Sequence, residues 1–301
     1  MNAPYCIWIV SGFRDGALMK RCILLILAAL AAVNFATVAS ADVIDPYDSM
    51  SAPPGTVALY SYFGQIHYPD IADNSGDKHH LGYDQSYMLL RPVYFMGQIA
   101  DKLSYGVNAV LPLANVRLDG ARNEFGLGDI GISPFIYLYE NPESKLYLSF
   151  WEFIFMPSGN YDKNNAVNIG RDAWWFEHQL AFGWYPNKFG MDFNVNYFQF
   201  TESDKLKYNE PDALELETVV HYGITDKFRV GINAAYWIGM CDAAYDGISM
   251  PDTKPMNVKL GLNFSYAVSE KLTAGIRWMH DVESQNYPSG DWAYVRLAYT
   301  F

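Results

Sequence analysis

The stretch Asn257-Val258-Lys259-Leu260-Gly261-Leu262-Asn263-Phe264-Ser265-Tyr266-Ala267-Val268 alternates without a break, with apolar residues at even positions and polar or small ones at odd positions. A period of two belongs to a β-strand, whose successive side chains point to opposite faces; a helix would mix the two sets around its circumference. Phe228, Val230, Ile232, Ala234 and Tyr236 repeat the pattern against Arg229, Gly231, Asn233 and Ala235. Leu214, Leu216, Thr218, Val220 and Tyr222 do so against Glu215, Glu217, Val219 and His221. The same pattern runs from Pro53-Pro54-Gly55 almost to the last residue.

The connections between these stretches are of two kinds. Asp101-Lys102-Leu103, Asn187-Lys188-Phe189, Asp226-Lys227-Phe228 and Glu270-Lys271-Leu272 share one form, and Glu143-Ser144-Lys145-Leu146 is a longer relative. Each is short enough for a hairpin turn. Between them lie longer polar segments: His67–Tyr83, Val116–Leu127, Pro157–Asp172, Glu202–Asp212, Met240–Lys254 and Glu283–Asp291. The reading is twelve strands, at about 56–66, 85–98, 104–115, 128–139, 146–156, 173–185, 190–201, 213–224, 228–239, 256–268, 272–282 and 292–301. An even number of membrane-length strands with alternating short and long connections predicts an all-β fold: a transmembrane antiparallel up-and-down barrel.

Composition agrees. Of 301 residues 50% are hydrophobic, 16% aromatic and only 18% charged, yet the single long apolar run is Cys22 to Val33. That run follows Lys20-Arg21 and precedes Ala39-Ser40-Ala41, the layout of a secretory signal peptide. The expected organisation is an upstream extension plus signal peptide over 1–41 with a true start at Met19, a short arm over 42–55, and a barrel over 56–301. Removing Arg14, Lys20, Arg21 and Asp15 leaves 18 basic and 32 acidic side chains, a formal charge of −14. Nucleic acid, which needs a basic surface, is excluded as a partner. Cys241 alone remains beyond the leader, so neither an internal disulfide nor a cysteine metal site is expected.

At the end of the chain Ala293, Val295, Leu297, Tyr299 and Phe301 alternate with Trp292, Tyr294, Arg296, Ala298 and Thr300. A final strand ending in Phe resembles the signal read by the outer-membrane assembly machinery, a partner expected alongside outer-membrane lipid and lipopolysaccharide.

Arg or Lys facing lipid near the midplane costs about 2–4 kcal/mol, so charges set which face of each strand looks inward. Arg229, Lys259, Arg277 and Arg296 are then expected to line the pore from the last four strands, and Glu152, Glu177, Asp192, Glu215 and Glu217 from strands five to eight. Two readings follow: a transverse field that orients polar solutes, or interior ion pairs that satisfy buried charge and close the lumen. Asp192, Asn194 and Asn196 form a polar inward stripe, and with Glu152 inward, Leu148, Phe150, Ile154 and Met156 would be an apolar lumen patch suited to a hydrophobic ligand. His178 and His280 fall on the apolar faces of their strands, where a neighbouring Ser would complete a lipid-face hydrolase. No Ser is near His178 in sequence, G-x-S-x-G is absent, and His79-His80 lacks an obvious third metal ligand. No cofactor, catalytic residue or metal site is therefore expected.

Ala52-Pro53-Pro54-Gly55-Thr56, Gly126-Leu127-Gly128-Asp129-Ile130, Met156-Pro157-Ser158-Gly159-Asn160-Tyr161, Tyr222-Gly223-Ile224-Thr225-Asp226-Lys227 and Tyr299-Thr300-Phe301 occur in this order. Together they resemble a family of outer-membrane transporters named for the meta-pathway of phenol degradation. The resemblance implies passive passage of small hydrophobic or aromatic compounds across the outer membrane of a Gram-negative bacterium. A lipid-face hydrolase and a structural or adhesive barrel with a closed lumen are the alternatives. Asp42–Gly55 is too short for a folded plug but long enough to occlude a pore as an extended arm.

Overall fold

A computed structural model describes residues 44–100 and 103–301; the leader, its cysteines and its cleavage site lie outside the described residues. The strands are β1 (Val57–Ala72), β2 (Lys78–Ile99), β3 (Leu103–Leu118), β4 (Glu124–Leu127), β5 (Gly131–Asn141), β6 (Leu146–Phe155), β7 (Trp175–Trp184), β8 (Phe189–Phe200), β9 (Tyr208–Asn209), β10 (Ala213–Gly223), β11 (Phe228–Gly239), β12 (Ala244–Tyr245), β13 (Ile248–Ser249), β14 (Met256–Ala267), β15 (Leu272–Gln285) and β16 (Tyr287–Thr300). Twelve of them build one antiparallel wall in the order β1-β2-β3-β5-β6-β7-β8-β10-β11-β14-β15-β16, and β1 pairs with β16 to close it. Closure removes the two open edges that a flat sheet would expose. The four short strands lie in the connections: β4 pairs onto β3, and β9, β12 and β13 form a small separate sheet.

Tight turns gather at the end where β1 begins and β16 finishes, called the turn end here; the longer connections gather at the other, the loop end. Two of the expected long loops are strand instead. The ladder of β1 and β2 runs to Ala72↔Lys78, and β15 and β16 are separated by Asn286 alone, which takes φ 47°. These segments carry polar residues on both faces, so they lack the hydrophobic alternation that marks a strand. Backbone hydrogen bonds carry the ladder onward regardless, with a bulge between Tyr68 and Asp70.

Period-two patterning becomes an outside and an inside. Leu260, Leu262, Phe264 and Tyr266 of β14 are exposed, whereas Asn257, Gly261 and Asn263 on the alternate face are buried. Ile276, Val295, Leu297, Ile232, Val220, Leu180, Ile132 and Val107 continue the exposed apolar surface around the barrel. Tyr94, Tyr139, Trp184, Tyr222, Tyr266 and Tyr299 are exposed near the turn end, and Trp174, Tyr197, Tyr236 and Trp278 nearer the loop end. An apolar band between two aromatic girdles is the surface of a barrel that sits in lipid.

Candidate functional site

The inner wall carries its charge in a cluster centred on β15 and β16. Arg277 is fully buried and donates from Nη1 to Glu217 Oε1 of β10 at 2.8 Å. The Asn233 amide, its oxygen turned toward Arg277, accepts from Nε at 3.2 Å. A lone buried guanidinium would be costly, whereas one held by carboxylate and amide partners is compensated.

Residues of the arm fill the space in front of this cluster. The Asp45 carboxylate accepts from Asn263 Nδ2 at 2.9 Å and Tyr294 OH at 3.1 Å, and lies 3.2 Å from Arg296 Nη1 and 3.8 Å from Arg277 Nε. Asp48 accepts from Arg296 Nη2. The Ile44 N–H donates to Glu217 Oε2 at 3.2 Å, and the N–H groups of Tyr47 and Ser49 donate to Asp192 at 3.0 Å each. Asp192 also accepts from Tyr185 OH. Tyr47 sits in the left-handed region (φ 71°), unfavourable for a residue with a side chain. Its ring is nonetheless held on three sides, 4.6 Å from Tyr185, 4.9 Å from His221 and 4.6 Å from the Arg229 guanidinium, which donates to its hydroxyl at 3.1 Å. The arm is therefore a turn-rich plug folded into the lumen, not an extended strand. Burial pushes Asp48 up to about 6, with Asp45 adding to the rise and Arg296 and Arg91 opposing it.

Of the nine residues predicted to line the pore, Arg229, Arg277, Arg296, Asp192 and Glu217 all touch the arm or hold its partners. Lys259 faces inward with its ammonium 5.5 Å from the rings of Tyr287 and Trp292. Glu177 and Glu215 are buried on the inner face, level with Phe198 and with Asn196 on the neighbouring β8. The basic and acidic sides meet directly through Arg277 and Glu217, so the separation needed for a transverse field is bridged there.

Glu152 is a correction. It stands on the outer face of β6, where its carboxylate lies 2.6 Å from His178 Nδ1 on the adjacent β7. Tyr147, Ser149, Trp151, Phe153 and Phe155 face inward, so Leu148, Phe150 and Ile154 are not a lumen patch. The physical reason is that β6 is apolar on both faces. Its one charge was a poor marker because the partner across the ladder reduces the cost of facing lipid.

The inner faces of β5 to β11 carry rings that sequence reading missed as a group. Phe135 stacks on Trp151 at 4.0 Å, Trp151 lies 6.2 Å from Phe153 and Phe153 6.3 Å from Phe155, and Phe155 stacks on Trp175 at 3.6 Å with planes 3° apart. Phe198 and Trp237 continue the series at 6.4 and 4.6 Å. Arg91 lies over Trp151 and Phe153, and Arg171 over Trp175 and Phe200. Neither arginine was predicted. Arg91 sits in a strand rich in apolar residues on both faces, and Arg171, paired with Glu210, belongs to a connection with no period to read. The missed signal was the alternation of Trp151, Phe153 and Phe155.

On the outer face His280 Nδ1 lies 3.0 Å from Asp291, which also accepts from Trp278 Nε1 at 3.1 Å. His79 and His80 pair separately, with Asp73 and Asp119. His178 and His280 thus each have a carboxylate partner, but neither is bonded to a serine among the described residues.

The family model described as the MetA-pathway of phenol degradation matches residues 70–297. The COG4313 outer membrane channel from Pseudomonas putida F1 is similar in structure with a TM-score of 0.79 at 18% identity, covering 86% of this chain and 100% of that one. The transport unit of the autotransporter AIDA-I from Escherichia coli gives a TM-score of 0.50 at 9% identity, covering 91% of this chain and 98% of that one. At these identities the similarity concerns the fold. No curated protein sequence matches the chain.

Proposed function

Because this chain belongs to the family of the MetA-pathway of phenol degradation and closes into a lipid-facing barrel, we propose that it is an outer-membrane channel of a Gram-negative bacterium for passive passage of small hydrophobic or aromatic compounds. The observation that carries the reading is the series of stacked rings from Phe135 to Trp237 on the inner wall. The rings are buried against one another, so an aromatic solute passes along the wall by exchanging into this stack, each contact worth about 0.5–1.5 kcal/mol beyond burial. Several weak, similar sites favour movement over tight retention. No step requires bond chemistry.

The test is flux into liposomes together with single-channel conductance. A neutral aromatic amide should enter faster than a sugar alcohol of similar size, and Trp175→Ala should reduce that preference several-fold. Equal entry of both solutes, unaffected by Trp175→Ala, would sink the reading. A second reading, a closed structural barrel, is favoured by one observation: the arm and the Arg277–Glu217 pair occupy the lumen. Inserted barrels silent to every solute would support it. The hydrolase reading needs a nucleophile that neither His178 nor His280 holds.

A further inference from the structure

The partners of Asp45 belong to the wall, not to the arm. Asn263, Arg277 and Tyr294 sit on three adjacent strands and follow one another in direct register, Asn263↔Arg277 and Arg277↔Tyr294. Arg296 is two positions beyond Tyr294 on the same inner face. Sheet hydrogen bonds fix these four side chains relative to one another whatever stands before them. They present two guanidinium groups, an amide N–H and a phenol O–H to one carboxylate. Planar guanidinium forks match carboxylates better than any other common anion-binding side chain.

The occupant is held differently. Ile44 to Pro54 adds no strand to the wall; the chain joins the ladder only where Gly55 N donates to Phe95 O at 2.8 Å. On the turn-end side of the arm lies a cavity of about 300 Å³, bordered by Tyr47, Asp48, Met50, Arg229, Lys271 and Arg296. The cavity leaves space beside Asp48 and Met50 into which this part of the arm can shift.

We propose that this cradle is a carboxylate-binding site of the lumen, that Asp45 and Asp48 occupy it as internal stand-ins, and that solutes joining a carboxylate to an apolar or aromatic body displace the arm to pass. The inference rests on the channel reading and narrows its substrate class. A ligand shifts an equilibrium only by its differential affinity for the two states. A neutral aromatic gains nothing from the vacated arginines, whereas a carboxylate takes up the contacts that Asp45 and Asp48 release. Because the arm is tethered, its carboxylates compete at an effective concentration of order millimolar, and free solute must reach a similar range.

The experiment places a spin label at Met50→Cys in a Cys6→Ser/Cys22→Ser/Cys241→Ser background, with the full chain folded in vesicles. The probes are 3-phenylpropionate and its amide, which share a body and differ in charge. The acid should raise the mobile fraction of the label with a midpoint of roughly millimolar concentration, and the amide should not. Asp45→Asn/Asp48→Asn, which leaves the wall untouched, should show a mobile arm without solute and bind the acid at least tenfold more tightly. An arm mobilised equally by the amide, or unmoved by the acid in both proteins, overturns the proposal. Liposome flux separates it from the channel reading. If acid and amide cross equally while the arm stays fixed, the carboxylate site fails and the channel stands. If the acid frees the arm but neither compound crosses, the site stands and the channel reading fails.

Discussion

Replacing Arg277 by methionine removes a charge that has no access to solvent. At 2.8 Å and an effective dielectric of about 20, its attraction to Glu217 is roughly 6 kcal/mol. The more distant Asp45, at 3.8 Å, adds about 4 kcal/mol on the same basis. Much of this sum is offset by taking the ions out of water, and the net loss on removing one partner of a buried pair is about 3–5 kcal/mol. The loss arises because Glu217 and Asp45 stay behind, each short of one buried guanidinium. Urea unfolding in vesicles, followed by tryptophan fluorescence, measures it in Arg277→Met, Glu217→Gln and the double variant. The singles should be strongly non-additive, with a coupling of about 2–3 kcal/mol. Recovery stays incomplete because Asp45 keeps Arg296 but has lost its second guanidinium. If Arg277→Met costs under about 1 kcal/mol, or the singles add within about 0.5 kcal/mol, the buried pair is not what holds this part of the lumen.

Further outcomes follow from other parts of the molecule. His178→Leu strands the Glu152 carboxylate on the lipid face and should destabilise the barrel by about 1–3 kcal/mol, whereas the double change with Glu152→Gln should recover most of it in the same urea assay. Trp175→Ala removes the ring stacked at 3.6 Å on Phe155 and should cost about 3–5 kcal/mol, read from the urea midpoint.

The barrel was legible because one face of nearly every strand must satisfy lipid, which leaves an unbroken apolar alternation such as Val258 to Val268. The number of strands followed from that face alone. Orientation was legible only where the other face was polar: Asn194 and Asn196 mark the inside of β8, and Glu215 and Glu217 that of β10. In β6 both faces are apolar, and the charge that seemed to decide between them is matched by His178, 26 positions away. Register, which sequence does not display, creates that match. The extended hairpins at Asp70 and Ser289 were read as loops because beyond the lipid no face has to be apolar. The role of Asp45 and Asp48 was hidden for another reason: an irregular stretch has no period, and its partners are set by the closed wall.

The wall partners of Asp45 and Asp48 lie between 218 and 251 positions further along the chain. The arm precedes every strand in the sequence, yet its docking surface needs β7, β8, β10, β11 and β14 to β16 in place, including the strand that seals the cylinder against β1. Contacts this distant form slowly. The order of events is thereby constrained: the segment that precedes every strand in sequence is the last to settle, and the empty cylinder precedes the plugged one. Each molecule would pass, once in its life, through an unobstructed form.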